Sequence, residues 1–262
     1  MKVTKYIAAS LFALFLFAQT AGIARPLPEG TSANVLAPAA LHLSPDQALV
    51  RFHERNSEQA NRLLAYQDQM LVTADLPDAA KHGEFALLRT YTQQPRNLTF
   101  DTISYTGDGF VKNNVIVRYL QSEVAHATKD DPSATALTEN NYKFAFKGSQ
   151  TINGHDAYVF QLKPHHRRPG LFKGRFYLDS ASGSLLRMEG RLAKSPSLFI
   201  RSIDFTQDFE DIDGFTLPTH LQSVTRTHLI GRAIVNVFHK AYRIGTGAQS
   251  QLSAVLPPPS SN

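Results

Sequence analysis

The sequence contains no cysteine. That absence excludes disulfide staples, thiol catalysis and cysteine-based metal sites. It also predicts no lipid anchor, which needs a cysteine at the cleavage point. The familiar catalytic signatures are missing too: there is no Gly-x-Ser-x-Gly elbow, no glycine-rich phosphate loop and no His-Glu-x-x-His pair. His53-Glu54 lacks the second histidine. Beyond the first residues, no segment is long and apolar enough to span a membrane.

The N-terminus carries Lys2 and Lys5, an apolar stretch from Tyr6 to Ala18, then the small residues Thr20, Ala21, Gly22 and Ala24. A basic start, an apolar middle and a small-residue cleavage site predict a secretory signal peptide over 1–24. The apolar stretch is shorter than the roughly 20 residues a spanning helix needs. The cut falls before Arg25 or before Ala21. The expected destination is the periplasm, as a soluble protein. An exported chain without disulfides must be stabilised by its core, and 262 residues that are 42% hydrophobic can bury one large core. One domain is expected, because all-β domains often run this long.

The formal net charge is +5, unevenly spread. Lys163, Arg167, Arg168, Lys173, Arg175, Arg187, Arg191, Lys194 and Arg201 face only Asp179 and Glu189 in the same stretch; Asp204, Asp208, Glu210, Asp211 and Asp213 follow. This reads as a polarised surface suited to anionic lipid headgroups, lipopolysaccharide or another protein, or as a solvated sheet face. Nucleic acid is not an expected partner of an exported chain.

Residues 25–43 hold three prolines among small residues and read as a flexible leader. Ser44-Pro45-Asp46-Gln47 is a capping box with proline at the first helical position. Leu49, Phe52, Ala60, Leu63 and Leu64 then predict an amphipathic helix to about Gln67. Strands are expected near 84–93 and 97–106. Phe110, Val117, Leu120 and Val124 follow helical spacing, although the β-branched Val115-Ile116-Val117 opposes a helix. A loop is expected over 127–138.

From Tyr142 to Tyr242 the chain reads as strand after strand. Tight turns separate the strands at Asn153-Gly154, at His165 to Gly170, at Asp179 to Gly183, at Ser195-Pro196 and at Asp213-Gly214. In the last strand Ala233, Val235 and Val237 oppose Ile234, Phe238 and Tyr242, so both faces need cover. A proline-rich tail over 247–262 is expected to be disordered. The fold class is therefore mainly β with some α: a large, curved antiparallel sheet, an incomplete β-barrel, covered by at least two amphipathic helices.

Three stretches carry a family likeness. Tyr158 to Pro164 ends a strand in a charged-proline turn. Gly174-Arg-Phe-Tyr-Leu-Asp179 with Ser182-Gly183-Ser-Leu-Leu-Arg187 is an aromatic strand, an acidic turn with glycine and an apolar-basic return. Gly214-Phe-Thr-Leu-Pro218 opens a late strand. Together with the element order, these resemble the LolA/LolB-like superfamily of outer-membrane lipoprotein-sorting proteins, over roughly Ser44 to Tyr242. The resemblance implies a single half-barrel domain over 44–246 whose apolar concave face accepts acyl chains or amphipathic segments.

The leading expectation is a non-enzymatic periplasmic carrier, monomeric, without a cofactor, binding a lipid, lipoprotein acyl chain or other amphiphile. The alternative is an envelope protein-interaction or sensor module without a lipid ligand. The candidate apolar lining is Phe160, Phe172, Phe176, Phe199, Phe205 and Phe238; each could equally be ordinary core. The candidate headgroup contacts are Arg167, Arg168, Lys173 and Arg175. No metal site is expected. His220, His228 and His239 could converge across strands, and the acids from Asp208 to Asp213 could hold calcium or form a solvated hairpin tip.

Overall fold

The computed structural model describes residues 42–128 and 132–245. The signal segment, the leader up to residue 41 and the tail lie outside the described residues. Helix α1 (Pro45–Arg62) is capped by Ser44, whose hydroxyl accepts from the Gln47 N–H while the Gln47 side chain accepts from the Ser44 N–H. Strands β1 (Ala65–Leu76), β2 (Lys81–Gln93) and β3 (Arg96–Gly107) follow. Next come short helix α2 (Gly109–Val111), a π-turn (Lys112–Ile116) and α3 (Val117–Ala127). The meander is β4 (Tyr142–Ile152), β5 (His155–Pro164), β6 (Phe172–Asp179), β7 (Leu185–Leu192), β8 (Ile200–Ile212), β9 (Phe215–Thr227) and β10 (Arg232–Gly245).

All ten strands form one sheet in the order β3-β2-β1-β10-β9-β8-β7-β6-β5-β4. Every neighbouring pair is antiparallel. The sheet is not closed, because β3 and β4 are its two edges. It is the incomplete barrel the sequence predicts.

Three local readings need correction. The helix expected to reach Gln67 stops at Arg62: Leu63 leaves the helical region at φ −81, ψ 95, and β1 starts at Ala65. Asp68 hides β1 in the sequence, because it sits buried among Tyr66, Met70, Val72, Ala74 and Leu76 and breaks the apolar alternation. The second helix forms, but Val115 and Ile116 fall in the π-turn, where a wider turn relieves β-branched crowding. The loop expected at 127–138 buries Ala136 and Leu137, and Asn141 Nδ2 donates to Ser133 O and Ala136 O at 2.7 and 2.9 Å.

The pairing register separates two faces. Directly opposed residues share a face of a sheet. One unbroken row is Tyr105, Phe85, Val72, Val237, Leu221, Gln207, Met188, Phe176, Phe160 and Phe146, one residue from each strand. This is the interior face, and only Gln207 and the tyrosine hydroxyl are polar. The neighbouring row on the opposite face reads Gln161, Arg175, Glu189, Thr206, Gln222, Asn236, Thr73, Glu84 and Thr106 from β5 round to β3. It is polar throughout. One face therefore drives folding by apolar burial, while the other presents this polar row to water and keeps a smaller buried cluster of Ile152, Ala157, Val159 and Tyr177 towards β4–β6.

Both helical segments lie on the interior face. From α1, Phe52 sits 5.4 Å from the Phe176 ring, beside buried Ala48. From the second segment, Val111, Val115, Ile116, Tyr119 and Leu120 join the same apolar cluster against β1 and β2. The chain just before α1 is also tied down: Leu43 N–H donates to Ser180 O (2.8 Å) and Tyr158 Oη donates to Leu43 O (2.5 Å).

Candidate functional site

Four of the six aromatic residues singled out in the sequence meet under the helices. Phe160, Phe172, Phe176 and Phe205 are buried on the interior face. Phe160 and Phe176 are 5.3 Å apart, and Phe172 and Phe205 are 5.1 Å apart in an edge arrangement. Gly174 and Gly190 make room for them. They face each other across β6 and β7, and a Cβ on Gly190 would lie 2.9 Å from Phe172 Cδ2 and 2.5 Å from Lys173 O. The other two aromatics lie elsewhere. Phe199 precedes β8 and is 39% exposed. Phe238 is on the opposite face, stacked on His220 with ring centroids 4.5 Å apart, because it follows Val237 by one step in a period of two.

At the α3 side of this layer lies a polar cluster that sequence reasoning missed. Asp68 (β1), Arg89 (β2) and His239 (β10) are buried together. Arg89 Nε donates to Asp68 Oδ1 at 2.6 Å, His239 Nδ1 lies 2.8 Å from Asp68 Oδ2, and Arg89 Nη2 donates to Tyr242 Oη at 2.9 Å. Arg89 also stacks over Tyr66, 4.9 Å from its centroid. Tyr242 Oη donates on to Pro218 O at 2.6 Å. Glu123 of α3 is buried beside this cluster and bonds Tyr119.

The environment sets the charges. Burial would raise the Asp68 carboxyl, but Arg89 and His239 hold it below its ordinary value. Burial, and then the Arg89 charge, push His239 down to about 4. Burial pushes Glu123 up to about 8 despite Arg89 nearby. At neutral pH the cluster is one Asp–Arg ion pair, a neutral histidine and a protonated Glu123, so its charges cancel inside the apolar layer.

The headgroup candidates occupy the opposite face. Lys173 and Arg175 alternate with Phe172 and Phe176 on β6, so they point away from the aromatic layer. With Lys163, Arg167, Arg191, Glu189 and Asp204 they line an open outer groove of about 810 Å³. Arg175 pairs with Glu189 at 2.6 Å, and Arg191 and Arg226 both grip Asp204, at 2.6 and 2.5 Å. Arg167 Nε donates to Ala193 O at 3.0 Å. Arg168 is exposed in the β5–β6 loop and is not part of the groove lining.

The three histidines do not converge: His239 is buried, His220 is on the outer face, and His228 accepts from Arg201 Nε beyond the end of β9 (3.1 Å). Among the described residues no group of three His, Asp or Glu could hold a metal ion. The acidic stretch has its own partners. Asp211 pairs with Arg55 of α1 at 2.7 Å and accepts from Ser184 Oγ and Thr216 Oγ1, while Asp208 pairs with Arg187. No helix of the described residues is long and apolar enough to cross a membrane.

No protein-family model and no curated protein matches the chain. Solved structures do. A DUF1329 family protein from Desulfovibrio piger matches at 12% identity and a TM-score of 0.39, over 80% of this chain and 96% of that one. A LolA superfamily protein from Nitrosomonas europaea matches at 13% identity and 0.37, over 78% and 94%. The MucA/MucB complex of Pseudomonas aeruginosa is matched at 13% identity and 0.24, over 74% and 93%. A LolA superfamily protein is therefore among the solved structures this chain is similar to, at low identity.

Proposed function

We propose that this chain is an exported, non-enzymatic carrier that holds an acyl chain or similar amphiphile between the interior face of its sheet and its helices. The observation that carries this reading is the ten-strand apolar row under two separate helical covers, in a sheet that does not close. A solid sandwich would cover such a face with a second sheet. Here α1 covers the β4–β6 side and α3 the β1–β3 side.

In the state described, the interior face is filled by its own aromatics and by Phe52, Val111, Ile116 and Tyr119. A ligand therefore enters by replacing helix contacts with its own methylenes. Each buried methylene contributes about 0.8 kcal/mol, so a long chain offsets the loss of one helix face. Phe160, Phe172, Phe176 and Phe205 would line that tail. The polar outer face would stay in water throughout.

The test is binding. Native mass spectrometry and lipid extraction of the purified protein should show a stoichiometric amphiphile, or the stripped protein should take up a fluorescent fatty acid one to one. A protein that carries no amphiphile and takes up none removes the carrier reading. Stable co-purification with an envelope protein in that case supports an interaction module instead.

A further inference from the structure

We infer that the end of the sheet formed by the β5–β6, β7–β8 and β9–β10 loops is a docking surface for an anionic lipid bilayer. The inference is independent of whether the interior holds a cargo.

In an antiparallel meander, alternate connections fall at opposite ends of the sheet. One end here has the turns at Asn153-Gly154, Asp179–Ser184 and Asp213-Gly214. Its charges include Asp156, Asp179, Glu210, Asp211 and Asp213. The other end has the three loops named above. It exposes Arg167 and Arg168, Lys194 and Arg201, and Arg226 and Arg232. Of the acids at this end, Asp204 is gripped by Arg191 and Arg226, Asp78 accepts the Arg232 backbone N–H at 2.8 Å, and Glu139 is exposed. The β5–β6, β7–β8 and β9–β10 loop end thus carries an excess of exposed cations, which an anionic surface attracts.

The basic end also exposes its largest apolar side chains at loop tips. Leu198 is 94% exposed, Leu229 67% and Phe199 39%. They form one patch, because His228 N–H donates to Phe199 O at 2.9 Å and locks the β7–β8 and β9–β10 loops together. Ile230, partly buried, links the patch to the core. Scattered exposed leucines need no explanation, but two at adjacent tips on an end rich in exposed cations do. Leucines that enter the acyl boundary while arginines and lysines stay at headgroup level match the layering of an anionic bilayer interface. An acidic protein surface would satisfy the cations but would leave Leu198 and Leu229 without apolar depth to enter.

The chain has no tryptophan, which makes the test direct. Leu198→Trp introduces one indole at the patch, and Thr151→Trp, exposed on β4 at the opposite end, serves as the control. Vesicles of phosphatidylcholine with about one-third phosphatidylglycerol should blue-shift the Leu198→Trp emission and leave Thr151→Trp unchanged. In vesicle flotation, the parent chain should bind these vesicles more tightly than pure phosphatidylcholine, and less as salt rises. The double substitution Leu198→Ser with Leu229→Ser should weaken binding at least tenfold, since each leucine is worth about tenfold in partition. Both sites are exposed, so the fold should survive, as circular dichroism will check. The inference is overturned if the parent does not bind anionic vesicles, if the double variant binds as well as the parent, or if the Thr151→Trp probe shifts instead.

Discussion

Replacing Asp68 by asparagine keeps the size of the side chain and removes its charge. The side chains of Asp68 and Arg89 are both fully buried, so bulk solvent does not reach the pair. The substituted amide would leave the Arg89 guanidinium charged in an apolar layer and would take the acceptor from His239. Removing one partner of a buried ion pair costs about 3–5 kcal/mol, because the other charge is left uncompensated. A domain of this size loses about 2–4 °C of Tm per kcal/mol, so Asp68→Asn should melt on the order of 10 °C lower. Urea unfolding followed by far-ultraviolet circular dichroism measures the loss directly. Arg89→Met combined with Asp68→Leu should recover the part that comes from the uncompensated charge, since replacing both charges by apolar groups of similar volume is close to neutral, but not the part from His239, which still lacks its acceptor. A loss under about 1 kcal/mol for Asp68→Asn, or a double variant as unstable as the single one, would refute the reasoning that the cluster is a compensated buried pair.

Other consequences follow from the same packing. Stability should depend on pH through two opposed groups. His239 is depressed to about 4, so the unfolded chain binds its proton first and stability falls as pH drops from about 6.5 towards 4. Glu123 is raised to about 8, so stability falls as pH rises from about 4.5 to 8. The two cancel between about 4.5 and 6.5, so stability is level there and declines above pH 6.5; chemical denaturation of Glu123→Gln across pH 6.5–8 should lose the decline that the parent shows, about 2 kcal/mol at 1.4 kcal/mol per pH unit. Phe52→Ala empties a fully buried site on α1 and should cost about 3–5 kcal/mol by denaturant unfolding; a cost below 1 kcal/mol would mean α1 contributes little to the core. Because the chain lacks cysteine, spin labels at Val50→Cys on α1 and Ile103→Cys on β3, both exposed, report the helix position cleanly. Adding a fatty acid should lengthen or broaden their distance distribution, and an unchanged distribution with ligand bound would rule out helix displacement.

What the sequence disclosed and what it concealed have separate physical origins. Local chemistry was legible. Asn153-Gly154, Asp179 to Gly183 and Asp213-Gly214 all sit at hairpin turns with positive φ where the structure needs it, and the Ser44 capping box starts α1. Period-two alternation put Phe172 with Phe176 on one face of β6, and the strand pairing adds Phe160 and Phe205 to it. The pairing of distant strands was not legible. Asp68 meets Arg89 across 21 residues and His239 across 171, so no short window contains the cluster. Phe238 was misplaced for a related reason: with apolar residues on both sides of β10, parity alone does not say which set faces inward. Leu198 and Leu229 stood beside turn residues, where apolarity carries no periodic signal.

The two free edges have a mechanical consequence. In a closed barrel, strand number and stagger fix the radius, so the enclosed volume is a constant of the fold. Here no ladder hydrogen bond joins β3 to β4, so that constraint is missing. Spreading the seam bends the sheet without unzipping any of its nine strand pairings, and the covers ride on opposite flanks of the gap. Capacity in such a molecule is an elastic quantity, set by how far the two flanks lean apart.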